Sequence, residues 1–592
     1  MRKFYRFHQL LSGLTAALAR FPLTSVSLLA AVIVNAIDIH KGSADYSKYL
    51  LSLVVGAFLG AVVQLVHERF FIKSSSRFML TGAAALLTLL YYFTLRSAAA
   101  LSTEAGIRTL VALFALYFAF IWIPSIKSNV TFNESFMVAF KAFFIAIFFA
   151  GVIFAGISVI LAAIDQLLFN VDGAAYAHTA NIVFILYAPV YFLSLIPVYP
   201  GKKDQGKDEI ENDSLQRISA CPKFLEILIS YIIIPLTSVF TVILLLYIVL
   251  NIGGRFWTDN LLEPMIVSYS IVVLLVYILA SRLDNKFAAF FRKVFPKVLV
   301  PIMLFQTISS VLRTGDTGIT HSRYYVILFG IFSAASGVIL SFVPVRKNGI
   351  IAVMLIVFSA ISIIPPTDAF TVSRKNQTAL LERVLVQNNM LEGNKVKPDP
   401  SVSREDQEKI IRYMGYLDRM DYLGYIPWLP SGFDYYRDFS GTFGFGAYAS
   451  NENWQYISLY LPTHSVIDIA GFDFIVMTDI NSGSQSGTQE EIGIIEENGR
   501  QYSLIKKAVQ DFDTLVLVND RNEEIISFSA DEIYKKFEAS TSEKGVLSVE
   551  EATFNTENGL AAMRVVAQSI NINKGPDRID FNGNLYVLVH IK

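Results

Sequence analysis

Eleven long apolar runs fill the first 366 residues, and they limit what this chain can become more than any other feature. They lie near residues 21–38, 49–66, 78–95, 107–124, 134–164, 178–197, 224–252, 262–281, 298–312, 324–344 and 349–366. A helix of about 20 apolar residues crosses ~30 Å of hydrocarbon. Lipid offers no water to backbone N–H and C=O groups, so such a run must satisfy them internally, as a helix does. Barrel strands would instead read as alternating segments of ~10 residues. The expected fold class is a polytopic α-helical membrane protein with about 11 transmembrane helices.

The pattern changes at Thr367. Residues 1–366 carry a net charge of +11 and residues 367–592 one of −12, so the near-neutral total of −1 hides two unlike halves. The second half predicts a C-terminal soluble, mostly antiparallel β (α+β) domain. Its first part, 367–425, reads as a helical linker with helices near 376–391 and 403–420. Leu380, Leu381, Val384 and Leu385 make an apolar stripe in the first helix, and Gly393 is its expected end. Ser403 with Asp406 three residues on resembles a capping box for the second. From 426 to 592 strand-like runs take over, with Asn498-Gly499 and Asn558-Gly559 as hairpin signals. An acidic tail argues against nucleic acid as a partner. The single cysteine, Cys221, rules out a disulfide within the chain.

Orientation follows from the basic residues between the runs. With the N-terminus in the cytoplasm, inside loops hold 20 Lys/Arg and outside loops 7, leaving Lys141 within a run. Arg2, Lys3, Arg6 and Arg20 fit a short amphipathic helix on the cytoplasmic surface rather than a cleaved signal. The polar loop 198–223 divides the runs into six and five. Eleven crossings export the tail. Val298–Leu312, at 15 residues, is short for a crossing. Were it re-entrant, one crossing would be lost and the tail would be cytoplasmic.

Charge inside a span is costly and often functional. Lys141 follows Glu134 by seven residues on one helix face, and it reads either as an ion or substrate contact or as a snorkelling side chain at the end of an over-long helix. Asn35, Gln64, Asn181 and Gln306 read as interhelical hydrogen-bonding groups. No span carries a row of acids or arginines, which argues against a proton-coupled or voltage-driven device. The seven histidines form no HExxH or paired metal spacing. Gly441, Gly444 and Gly446 lack the Lys-Ser/Thr of a phosphate loop and read as a turn. Asp468, Asp473 and Asp479 lack calcium-loop spacing and read as a solvated strand face. The expectation is a non-enzyme without cofactor or metal.

Three runs carry a family likeness: FRKVFPKVLVPIMLF, GITHSRYYVILFGIF and ISIIPPTDAFTVSRKNQTALLERVLVQNNML. Pro296 and Pro301, then Arg323-Tyr324-Tyr325, then Pro365-Pro366 with Asp368, resemble the bacterial inner-membrane family of domain of unknown function 4153. The likeness is best over 290–390, implies a multi-pass cytoplasmic-membrane protein, and marks Arg323, Tyr324 and Tyr325 beside Lys141 as candidate site residues. It brings no activity with it. The expected role is to anchor or signal, with the lipid bilayer around the helices and an envelope protein or peptide bound by the exported domain. A transporter or channel regulated by its tail is the alternative.

Overall fold

The structure is a computed structural model, and it describes residues 12–41, 46–96, 102–201, 216–251, 262–430, 432–447, 455–462, 464–482, 489–497, 499–509, 512–538, 544–574 and 579–592. Arg2, Lys3, Arg6 and Asn498 lie outside these residues, as does most of the 198–223 loop; residues 12–20 are helical.

Among the described residues eleven helices are long and apolar enough to cross a membrane. They are α1 (Pro22–Lys41), α2 (Ser47–Phe70), α3 (Ser74–Arg96), α4 (Thr103–Trp122), α5 (Phe132–Leu167), α6 (Ala174–Ser194), α7 (223–251), α8 (Leu262–Leu279), α9 (Lys286–Thr317), α10 (His321–Phe342) and α11 (Gly349–Ile363). Local chemistry sets their ends. Thr131 and Glu134 form a reciprocal capping box at α5, and Asn285 Oδ1 accepts from the Ala288 N–H at α9. Widened π turns interrupt α6 at Asn181–Tyr187 and α7 at Leu228–Ile233.

The short run Val298–Leu312 is the middle of one 32-residue helix. Its flanks FRKVFPK and RTGDT are helical too, because a helix satisfies its backbone whatever the side chains, and polarity only sets where lipid ends. The tight α9–α10 hairpin places Gly330 against Gln306 and Thr307, so that any Cβ there would collide with the Thr307 hydroxyl.

The two ends of the bundle gather different segments. At one end Arg20 pairs with Glu68 at 2.8 Å and donates to the Pro197 carbonyl at 3.0 Å. Arg69 donates to the carbonyls of Ile126 and Pro200, and Arg282 pairs with Glu134 at 2.7 Å. At the other end the starts of α4 and α10 meet the ends of α9 and α11. Helices α4 and α9 therefore run from one end to the other.

Past α11 come α12 (Ala369–Gln387), the two-residue strands β1 (Leu391–Glu392) and β2 (Lys395–Val396), α13 (Arg404–Arg419) and α14 (Tyr435–Phe443). Leu381, Val384 and Leu385 are buried. Helix α12 stops before Gly393: Asn389 takes the left-handed backbone (φ 56°) just past its end, and Gly393 (φ 55°) serves the β1–β2 turn instead. Gly444 (φ 87°) terminates α14.

The chain divides into two compact units, Met1–Phe445 and Gly446–Lys592. The second holds β3 (Gln455–Tyr460), β4 (Phe474–Asn481), β5 (Gln489–Glu497), β6 (Arg500–Val509), β7 (Phe512–Asn519), β8 (Glu524–Ser529), α15 (Ala530–Phe537), β9 (Lys544–Val546), α16 (Val549–Ala552), β10 (Thr553–Glu557), β11 (Ala561–Lys574) and β12 (Ile579–Ile591). One sheet runs β4-β12-β11-β3-β9 with β10 also on β11, and a second runs β5-β6-β7-β8. All pairs but β3–β9 are antiparallel. Alternation decides the faces: Ile457, Leu459, Ile570, Ile572, Phe581 and Leu585 point into one core, joined by Leu504, Leu515, Leu517 and Phe528 of the second sheet. Both hairpin signals sit at chain reversals, Gly499 with φ 73° between β5 and β6, and Asn558-Gly559 between β10 and β11.

Candidate functional site

A dense polar construction in the first unit lies where α4, α10 and the exit of α11 meet α12 and α13. Its centre is Asp368, which is fully buried. Asp368 is the N-cap of α12, and its Oδ1 accepts from the backbone N–H groups of Phe370 and Thr371 at 3.1 and 3.0 Å. The same oxygen takes Arg108 Nη2 at 2.7 Å. A carboxylate here is held both by a guanidinium and by the positive end of a helix dipole. Arg108 also pairs with Glu104 one turn earlier, at 2.8 Å, and its guanidinium lies 5.3 Å from the centre of the Phe370 ring.

The network reaches outward to α13 and the turn after it. Tyr422 donates to Glu104 Oε2 at 2.8 Å. Burial, then that bond to a carboxylate, raises the Tyr422 phenol well above its usual range, so it stays a donor. Arg374 of α12 stacks over Tyr425 at 4.1 Å and Tyr422 at 5.5 Å. His321, first residue of α10, lies between Phe370 and Tyr416. The Tyr416 hydroxyl accepts the His321 backbone N–H at 3.0 Å and is 3.1 Å from its Nδ1.

Arg323, Tyr324 and Tyr325 belong to the same construction. The Arg323 guanidinium folds back on α9, bonding Thr317 Oγ1 and the Gly318 carbonyl. Tyr324 donates to the Thr367 carbonyl at 2.6 Å and Tyr325 to the Ser362 carbonyl at 3.4 Å. The Arg-Tyr-Tyr element thus grips the α9–α10 turn with its first residue and the end of α11 with the other two. From α12, Asn376 Oδ1 accepts the Ile319 N–H at 2.7 Å, and Gln377 donates to the Thr317 and Ile319 carbonyls at 3.1 and 3.3 Å. Gly318 (φ 74°) allows this approach, since a Cβ there would meet Gln377 Nε2 at 2.5 Å.

Lys141 is elsewhere. It lies at the opposite end of the bundle, and its ammonium donates to the carbonyls of Ile218 and Ala220. Glu134 is at that same end, engaged by Thr131 and Arg282. Asn181 Nδ2 donates to the Val32 carbonyl of α1, Gln64 joins Glu68 to Arg77, and Gln306 reaches Glu263 of α8 through Ser310. In the second unit Asp479 pairs with Lys506 and Asp473 with His590, while Asp468 caps a turn ahead of β4. Among the described residues no three His, Cys, Asp or Glu gather closely enough to hold a metal ion.

Sequence reasoning reached Arg323, Tyr324, Tyr325 and Asp368 but missed Glu104, Arg108, Arg374, Tyr416 and Tyr422. One local signal was available. Glu104 and Arg108 are spaced i,i+4 at the head of an otherwise apolar helix, where charge is kept only if something answers it.

The model of the domain of unknown function DUF4153 matches residues 50–397. The chain belongs to this family. The DUF4153 match takes in α2 to α11, α12 and the β1–β2 hairpin. It therefore contains most of the polar junction, from Glu104 through Gln377, and stops before Tyr416 and Tyr422. Neither a curated protein nor a solved structure matches the chain.

Proposed function

We propose that this multi-pass membrane protein is a non-enzymatic anchor or signalling protein, with its N-terminus in the cytoplasm and its β-rich C-terminal unit outside, where it binds an envelope protein or peptide. One observation carries the orientation. The chain leaves α11 at the end of the bundle opposite the one where Arg20, Arg69, Arg77, Arg282 and Arg292 collect. Basic residues stay on the cytoplasmic side. The signalling half of the reading is supported by the junction at Asp368. Helix α12 is bonded to α4 and to the α9–α10 turn rather than tethered by a loose strand, so a pull on the linker would reach the spans.

The transporter or channel reading has one specific observation in its favour. Widened π turns recur at functional sites, and both α6 and α7 carry one.

Alkaline phosphatase and a green fluorescent protein, each fused in turn at Lys592, test the orientation. The expected result is phosphatase activity without fluorescence. A fluorescent, phosphatase-inactive pair overturns the exported unit and the binding role built on it. Solute flux through the reconstituted chain would favour the transport reading.

A further inference from the structure

The first three turns of α9 carry charge on the side that faces away from the bundle. Ala288, Phe291, Phe295 and Leu299 are buried against neighbouring helices. Lys286, Phe290, Lys293 and Lys297 are exposed, and their spacing puts them in one line along the helix. The line continues as Leu304, Ile308 and Val311, all exposed. An exposed apolar line on a spanning helix meets acyl chains. The lysines therefore extend a lipid-facing surface just past the point where it stops being apolar.

Lengths agree with that. Helix α9 has 32 residues, ~48 Å, against ~30 Å of hydrocarbon. Centring the hydrocarbon on 298–312 puts its edge near Lys293 and Lys297, whose flexible stems carry the ammonium groups up to phosphate level. Lys286 stands ~10 Å farther out, about one Debye length from the same charges. Phe287, also exposed, packs edge-to-face on exposed Tyr231 of α7 at 5.4 Å, and Phe290 sits between the lysines. Exposed aromatic rings suit the headgroup layer.

Basic residues of this end differ in what holds them. Arg20, Arg69, Arg77, Arg282 and Arg292 are occupied by carboxylates or backbone carbonyls of the protein. Among the described residues the side chains of Lys286, Lys293 and Lys297 have no ion pair or hydrogen bond. Their charge faces the membrane unspent.

We propose that this stripe binds the headgroup of an anionic phospholipid, with Lys293 and Lys297 contacting the phosphate and Lys286 adding longer-range attraction. The proposal stands apart from the functional reading above.

The test uses the full chain purified in mild detergent, offered equal amounts of phosphatidylglycerol and phosphatidylcholine, with retained lipid counted by native mass spectrometry. The wild type is expected to retain phosphatidylglycerol preferentially. Each lysine near a charged surface is worth roughly fivefold, so K293Q/K297Q should lose about twenty- to thirtyfold of that preference and K286Q severalfold less. K293R/K297R should keep it. All three sites are exposed, so the variants should elute as the wild type does. No preference in the wild type, or an unchanged preference in K293Q/K297Q, overturns the proposal.

Discussion

Asp368→Ala is the substitution that tests the junction most directly, because it removes two kinds of support together. The cap on α12 loses the acceptor for the Phe370 and Thr371 N–H groups, which costs about 1 kcal/mol. Arg108 loses its buried partner. Removing one side of a buried pair costs ~3–5 kcal/mol where the remaining charge is left dry. Here the Arg108 side chain is 27% exposed and keeps Glu104 at 2.8 Å, so water and the second carboxylate absorb part of the loss and ~2 kcal/mol is the expected remainder. The sum is ~3 kcal/mol. Asp368→Asn keeps the cap, since Asn caps as well as Asp, and gives up only the charge, for ~1–2 kcal/mol. Thermal melting of the full chain in detergent, followed by intrinsic fluorescence, should rank wild type above D368N and D368N above D368A. A domain of 150–250 residues moves ~2–4 °C per kcal/mol and a larger one less, so D368A should fall by no more than ~6 °C. The R108A/D368A double variant should lose less than the two single losses added, because the pair is broken only once. If D368A melts with the wild type, the junction does not hold α12; if D368A melts with D368N, the cap contributes nothing.

The raised phenol of Tyr422 makes a pH prediction. Its folded pKa lies above the unfolded value near 10, so its contribution is fully present below about pH 10 and is lost as pH rises through the folded value; melting should drop less between pH 10 and 11 in Y422F than in the wild type, and equal drops would show the phenol is not linked to folding. Gly318→Ala forces a side chain onto left-handed backbone and into Gln377, at a cost of ~1–3 kcal/mol. It should sensitise the α9–α10 turn to proteolysis, and unchanged cleavage would mean the turn is not held by α12.

Local physics explains how far the sequence could be read. A span announces itself because lipid forces each helix to satisfy its own backbone, and composition alone then reveals it. Charge repeats the same lesson at coarser grain: the sign change at residue 367 coincides with the end of the spans. Strand alternation and Asn-Gly turns are likewise local, which is why the β5–β6 and β10–β11 reversals were legible. Gly393 was misread because three left-handed positions, Asn389, Gly393 and Asn394, follow α12 within seven residues, and only the packed backbone chose Asn389 as the first.

The polar junction is different in kind. Arg108 and Asp368 are 260 residues apart, and nothing in the surroundings of either names the other. Each looks like a stray charge at a membrane edge until the bundle brings the start of α4 beside the exit of α11. The same holds for Arg323, Tyr324 and Tyr325, which the sequence marks as a family element but whose partners, Thr317, Thr367 and Ser362, are set by how α9, α10 and α11 pack. Lys141 and Glu134 share a helix face, yet the fold gives each a separate partner from another segment. The sequence alone determined which stretches must lie in lipid and which in water, because the solvent acts on each residue where it stands. Which charges answer one another only the tertiary structure decided, because a buried charge needs a partner at hydrogen-bond distance and chain order does not say who will be there.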